Sequence, residues 1–115
     1  MFTLDHDPVD GSHLIVASGE LDLGSTSEMS AIFTMAAAGP QEAVVLDLMG
    51  VEFIDSSALG ALVAAYRALD EAGGRLSLAA TQPGVRSVLR ITSVDQVIDI
   101  YETTEAAEAA ITANG

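Results

Sequence analysis

The sequence contains no cysteine, no tryptophan and no lysine. Without cysteine there can be no disulfide, no thiolate metal site and no thiol redox chemistry, which fits a reducing compartment. Aromatic residues make up only 4% of the chain and hydrophobic residues 50%, so the interior has to be filled by Val, Leu, Ile and Ala. Four arginines face 17 Asp and Glu, a formal net charge of −13. Such a charge repels phosphate backbones and anionic bilayers, which argues against direct nucleic-acid binding and against a membrane partner. No apolar run approaches the roughly 18 residues of a membrane span. The start, MFTLDHDPVD, has neither the basic region nor the apolar core of a signal peptide. A soluble, cytoplasmic protein is expected.

A length of 115 residues suits a single domain, expected to span 1–115 with an ordered core of about 2–112. Apolar runs alternate with 3.6-periodic stretches throughout. Phe2 to His6 and His13 to Ser18 are expected as antiparallel strands, with Asp10-Gly11 suited to the tight turn between them. Ser25-Thr26-Ser27-Glu28 has the form of a capping box opening a helix on Met29, Ile32, Phe33 and Ala36, stopped by Gly39-Pro40. Ala43 to Met49, AVVLDLM, has the near-continuous apolarity of a central strand covered on both faces. Its Asp47 is expected at a strand end or bonded to nearby backbone, because a buried charge persists only when paired.

Leu59, Leu62, Val63, Tyr66 and Leu69 mark a long amphipathic helix closed by Gly73-Gly74. Arg75 to Ala80 is expected as a strand, and Pro83 opens a helix carrying Val85, Val88 and Leu89. Gln96 to Tyr101 is expected as a fifth strand, and Thr103-Thr104-Glu105 opens an Ala-rich terminal helix. The order ββαβαβαβα predicts an α/β fold: a mixed sheet of about five strands, mostly parallel, with an antiparallel first hairpin and about four helices.

Loops leaving the carboxyl ends of parallel strands gather at one edge of a sheet. Gly19-Glu20-Leu21-Asp22 is expected to leave the second strand and Val51 to Asp55 the third, which clusters Glu20, Asp22, Glu52, Asp55 and Ser56. Ser56, at the start of the clearest helix, can be its N-cap, for a stabilisation of about 1 kcal/mol. The N-cap is the favoured reading from residue type and position alone; physics also permits a phosphoacceptor, since a helix N-terminus presents unpaired amides and the positive end of a dipole to a dianion. Ser57, one residue further in, is the weaker candidate.

Asp55-Ser56-Ser57-Ala58-Leu59-Gly60 resembles the D-S-S-G-L-G signature of the anti-sigma factor antagonist branch of the STAS family, and Gly19-Glu20-Leu21-Asp22 resembles that family's G-E-L-D loop. Similarity extends from about Phe2 to Ile111, including GGRLSLA and PGVRSVLRITSV. The resemblance implies a mixed sheet with helices over one face, and partner switching as the function. By it, Ser56 is phosphorylated by an anti-sigma factor that is itself a serine kinase of the GHKL ATP-binding type, and a serine phosphatase removes the phosphate. Glu20, Asp22, Asp55, Ser56, Ser57 and Ala58 would form the contact surface. The unphosphorylated protein would hold the kinase and free a sigma factor. It would need no cofactor of its own and no metal, and would be a monomer or weak dimer. The chain departs from the signature at Ala58, whose methyl raises helix propensity but is expected to reduce room for a partner's backbone.

An enzyme is not expected. The chain has no G-x-x-x-x-G-K-[ST], no lysine for phosphate, and no G-x-S-x-G around Ser57. His6 and His13 lack metal-ligand spacing and are expected at the surface. An acidic cluster could hold Mg²⁺ for phosphorylation of Asp55, but the lysine on which receiver domains rely is missing. Arg86 and Arg90, four apart, are expected as a solvated basic edge. The alternative to the switch is a STAS scaffold whose serines are never phosphorylated, in a lipid-transport or stress-signalling complex.

Overall fold

The computed structural model describes residues 2–7, 12–37, 43–80 and 82–114. Strands β1 (Phe2–Asp7), β2 (Ser12–Leu21), β3 (Ala43–Ile54), β4 (Arg75–Ala79) and β5 (Asp99–Tyr101) form one sheet in the order β1-β2-β3-β4-β5. β1 and β2 pair antiparallel and every later pair is parallel, as the alternation of elements predicts. Helices α1 (Thr26–Ala37), α2 (Ser56–Glu71) and α3 (Pro83–Ile91) connect successive parallel strands, and α4 (Thr104–Asn114) follows β5. The expected turn at Asp10-Gly11 and the helix stop at Gly39-Pro40 lie outside the described residues.

Strand order rising steadily across the sheet, combined with right-handed crossovers, forces α1, α2 and α3 onto the same face. The main core lies between them and the sheet. Met29 and Phe33 of α1, Leu59, Leu62 and Leu69 of α2, and Val85 and Leu89 of α3 pack there with Val44, Leu46 and Leu48 of β3. Val45, on the opposite face by strand alternation, joins Ala79 and Ala107 of α4 in a second, smaller cluster with Leu14 and Tyr101. The helices therefore do not all lie over one face: three cover one and α4 the other. This explains why AVVLDLM is apolar without alternation.

The terminal helix is capped as expected, the Thr103 hydroxyl accepting from the Ala106 amide at 3.0 Å. Gly73-Gly74 closes α2 through a Schellman pair, Gly73 N–H to Asp70 O at 3.1 Å and Gly74 N–H to Leu69 O at 2.8 Å, with Gly73 at φ 86°. His13 is not at the surface: at 4% exposure it shares the buried side of β2 with Ile15 and Ala17. The strand expected from Gln96 begins only at Asp99, because Val94–Gln96 forms a 3₁₀ turn. Val94 and Ile98 both turn into the core, a spacing of four that suits a helical turn rather than an alternating strand.

β2 and β3 run on together past the ends of their other neighbours. β1 leaves β2 after Ala17 and β4 leaves β3 after Asp47, while β2 and β3 stay paired to Leu21 and Ile54. Val16 to Ser18 is opposed by Asp47 to Gly50, and Gly19 to Glu20 by Val51 to Phe53. Each register shift adds one residue to β3, a pair of bulges of the kind that re-aims side chains near sites. Asp47 Oδ1 accepts the Met49 amide at 2.8 Å, the bond to nearby backbone expected of it, and Gln82 Nε2 donates to Met49 O at 3.1 Å. The first bulge is thus braced by side chains on both its polar groups.

Candidate functional edge at the start of the second helix

The β2–β3 extension delivers Glu20, Asp22, Glu52, Asp55 and Ser56 to one edge. Glu20 and Glu52 are strand residues rather than loop residues, since the paired ribbon reaches further than the apolar run suggests. The Asp55 amide donates to Leu21 O at 3.0 Å, tying the start of α2 to the end of β2. That bond brings the two acidic segments together.

The cap of α2 is Asp55, not Ser56. Its backbone is extended (φ −103°, ψ 178°) and its Oδ1 accepts from Ala58 N at 2.9 Å. With the amide of the first turn already satisfied, Ser56 is the first helical residue, exposed, and its hydroxyl makes no hydrogen bond among the described residues. Ser57 is half-buried. Ala58 is fully buried and belongs to the core-facing row with Leu62, Ala65 and Leu69. Its methyl is therefore turned into the core, and of the six expected contact residues it alone presents no side chain to solvent. What Ala58 contributes is its amide.

A second local correction concerns Ser25. The helix begins at Thr26, preceded by a 3₁₀ turn over Leu23–Ser25, and the reciprocal pair is Asp22 with Ser25 rather than Ser25 with Glu28. Ser25 Oγ accepts from Asp22 N at 3.4 Å and lies 3.3 Å from Asp22 Oδ1 and 3.2 Å from Glu20 O. The turn thereby fixes Asp22 and the backbone of Glu20. Thr26 Oγ1 donates to Leu23 O at 2.9 Å and holds its far side.

Two exposed apolar residues lie among these acids, Leu23 at 72% and Phe53 at 51% exposure. Composition does not single them out. The signal lies in the pattern: Val51-Glu52-Phe53-Ile54 carries three apolar residues in four, too many for one face of a two-sided strand. Among the described residues no group of three or more His, Asp and Glu side chains is arranged to hold a metal ion. No helix among them is long and apolar enough to cross a membrane.

A family model for the STAS domain matches residues 6–107. The chain belongs to the STAS-domain family. This STAS domain is 28% identical over 93 residues to an anti-sigma F factor antagonist of Paenibacillus polymyxa, covering 80% of each chain. It is 35% identical over 95 residues to a STAS-domain containing protein of Pseudomonas aeruginosa, covering 79% of this chain and 90% of the other. The crystal structure of an anti-sigma factor antagonist from Mycobacterium paratuberculosis matches with a TM-score of 0.86 at 28% identity, over 97% of this chain and 95% of that one.

Away from the edge, Arg86 and Arg90 line an open cleft of about 450 Å³ with Asp95, Asp99, Ile100 and Tyr101. Arg86 also lies 3.7 Å from Glu102, both side chains well exposed. Carboxylates balance these two cations locally, in keeping with a solvated edge.

Proposed function

We propose that this STAS domain is an anti-sigma factor antagonist that works by partner switching in the cytoplasm. Unphosphorylated, it binds an anti-sigma factor that is a GHKL-type serine kinase, and so frees a sigma factor. The kinase supplies the ATP, whose γ-phosphoryl passes to Ser56 Oγ as ADP leaves. The phosphorylated protein is ejected, and a serine phosphatase restores it. The protein itself is a binding partner and performs no chemistry.

One observation carries this reading: Asp55 caps the helix and leaves the Ser56 hydroxyl exposed and unbonded at the helix tip. A serine that was itself the cap would have to give up its structural bond to be modified. The names of the relatives support the same function.

A single phosphate supplies enough energy for release. It adds about −1.5 to −2 charges. A like charge roughly 4 Å away costs on the order of 4 kcal/mol at a surface-type effective dielectric, about a thousandfold in affinity. Within the protein, the dianion meets the positive end of the α2 dipole, so phosphorylation requires no refolding. The test is incubation with ATP and purified anti-sigma factor kinases, followed by mapping of phosphate by mass spectrometry. Phosphate on Ser56, absent from Ser56→Ala, is the expected result; phosphate confined to other residues refutes it.

A further inference from the structure

The second bulge has an effect that the switch alone does not require. From buried Val51, regular alternation would put Glu52 outside, Phe53 in the core and Ile54 outside. The extra residue between the Gly19↔Val51 and Glu20↔Phe53 pairs reverses this: Ile54 is buried beside Leu21, and Phe53 is turned outward beside Glu20. Residues paired across a sheet share a face, so Phe53 and Glu20 stand together on the side away from α1, α2 and α3. The chain has only three phenylalanines, and the backbone irregularity presents this one to solvent. Leu23, in the turn that fixes Asp22, is more exposed still.

Glu20 is paired with Phe53 across the strands and Glu52 adjoins it in the chain, while Asp22 adjoins Leu23; none of these three carboxylates is in an ion pair among the described residues. Exposed apolar side chains flanked by uncompensated carboxylates have the composition of a protein interface with a charged rim. That charge disfavours a second copy of this chain, which would bring the same charge to the same place.

We propose that Phe53 and Leu23 are the apolar anchors of the partner interface, each received by apolar surface bordered by Lys and Arg on the kinase-type anti-sigma factor. This rests on the partner-switching reading and divides the work within it. Phe53 and Leu23 supply affinity, the flanking carboxylates supply orientation and speed of association, and Ser56 supplies the release.

The test is calorimetric titration of ADP-loaded anti-sigma factor kinases with the wild-type protein and with Phe53→Ala, Leu23→Ala, Met35→Ala and Ser56→Asp. Met35 is also exposed and apolar but lies on α1, away from this edge. Expected are losses of about 30-fold for Phe53→Ala and about 10-fold for Leu23→Ala, with no change for Met35→Ala. Wild-type affinity in both anchor variants, with Ser56→Asp weakened, overturns the anchors and leaves the switch standing. No binding of the wild-type protein by any kinase overturns both. Should Phe53→Ala melt early, Leu23→Ala decides, because that side chain is largely in solvent already: a 10-fold loss supports the proposal and an unchanged affinity refutes it.

Discussion

Replacing Asp55 and Ser56 one at a time separates the structural role at the head of α2 from the signalling role. Asp55→Ala removes the 2.9 Å bond from the Ala58 amide, and Ala58 is buried, so water replaces the lost acceptor poorly. Loss of an N-cap of this kind costs about 1–2 kcal/mol. At roughly 4 °C of melting temperature per kcal/mol for a domain of this size, the expected drop is about 4–8 °C. Asp55→Asn keeps an oxygen acceptor and loses only the favourable charge at the dipole, so it should cost less than about 1 kcal/mol. Ser56→Ala removes a hydroxyl with no partner and should stay within about 0.5 kcal/mol of the parent. Urea unfolding followed by circular dichroism measures all three. If Ser56→Ala destabilises as much as Asp55→Ala, the serine oxygen belongs to the cap and the reasoning fails.

Two other substitutions test the local geometry. Ala58→Gly restores the residue usual in the family signature, yet it deletes a buried methyl and lowers helix propensity, so unfolding should become easier by about 1.5–2 kcal/mol. Kinase affinity should not change, and tighter binding would show that the methyl does crowd a partner. Gly19→Ala forces an L side chain onto φ 83° at the second bulge and should cost about 1–2 kcal/mol, measured by the same unfolding curves.

Much of the fold was legible because the relevant signals are local. Alternation of elements fixed the sheet's parallel character, the apolar rows of α1 and α2 marked their buried faces, and Gly73-Gly74 and Thr103 marked helix ends. The candidate edge was legible as a place, from strand polarity and the GELD and DSS segments. Its atomic assignments were less so. Which of two adjacent polar residues caps a helix depends on where the backbone turns from extended to helical, and here the Asp55–Leu21 bond sets that point one residue before Ser56. Equally, the surplus of apolar residues in Val51-Glu52-Phe53-Ile54 signals an irregularity without locating two bulges in β3, because an extra residue is defined only against a partner strand. The outward turn of Phe53 followed from those bulges. The burial of Ala58 could have been read from its spacing to Leu62, Ala65 and Leu69, had the helix start been known.

The most direct test of the switch is the affinity of the protein for its ADP-loaded kinase before and after stoichiometric phosphorylation of Ser56. A fall of about a thousandfold, reversed by phosphatase treatment, is expected. Equal affinity of the two forms would contradict it.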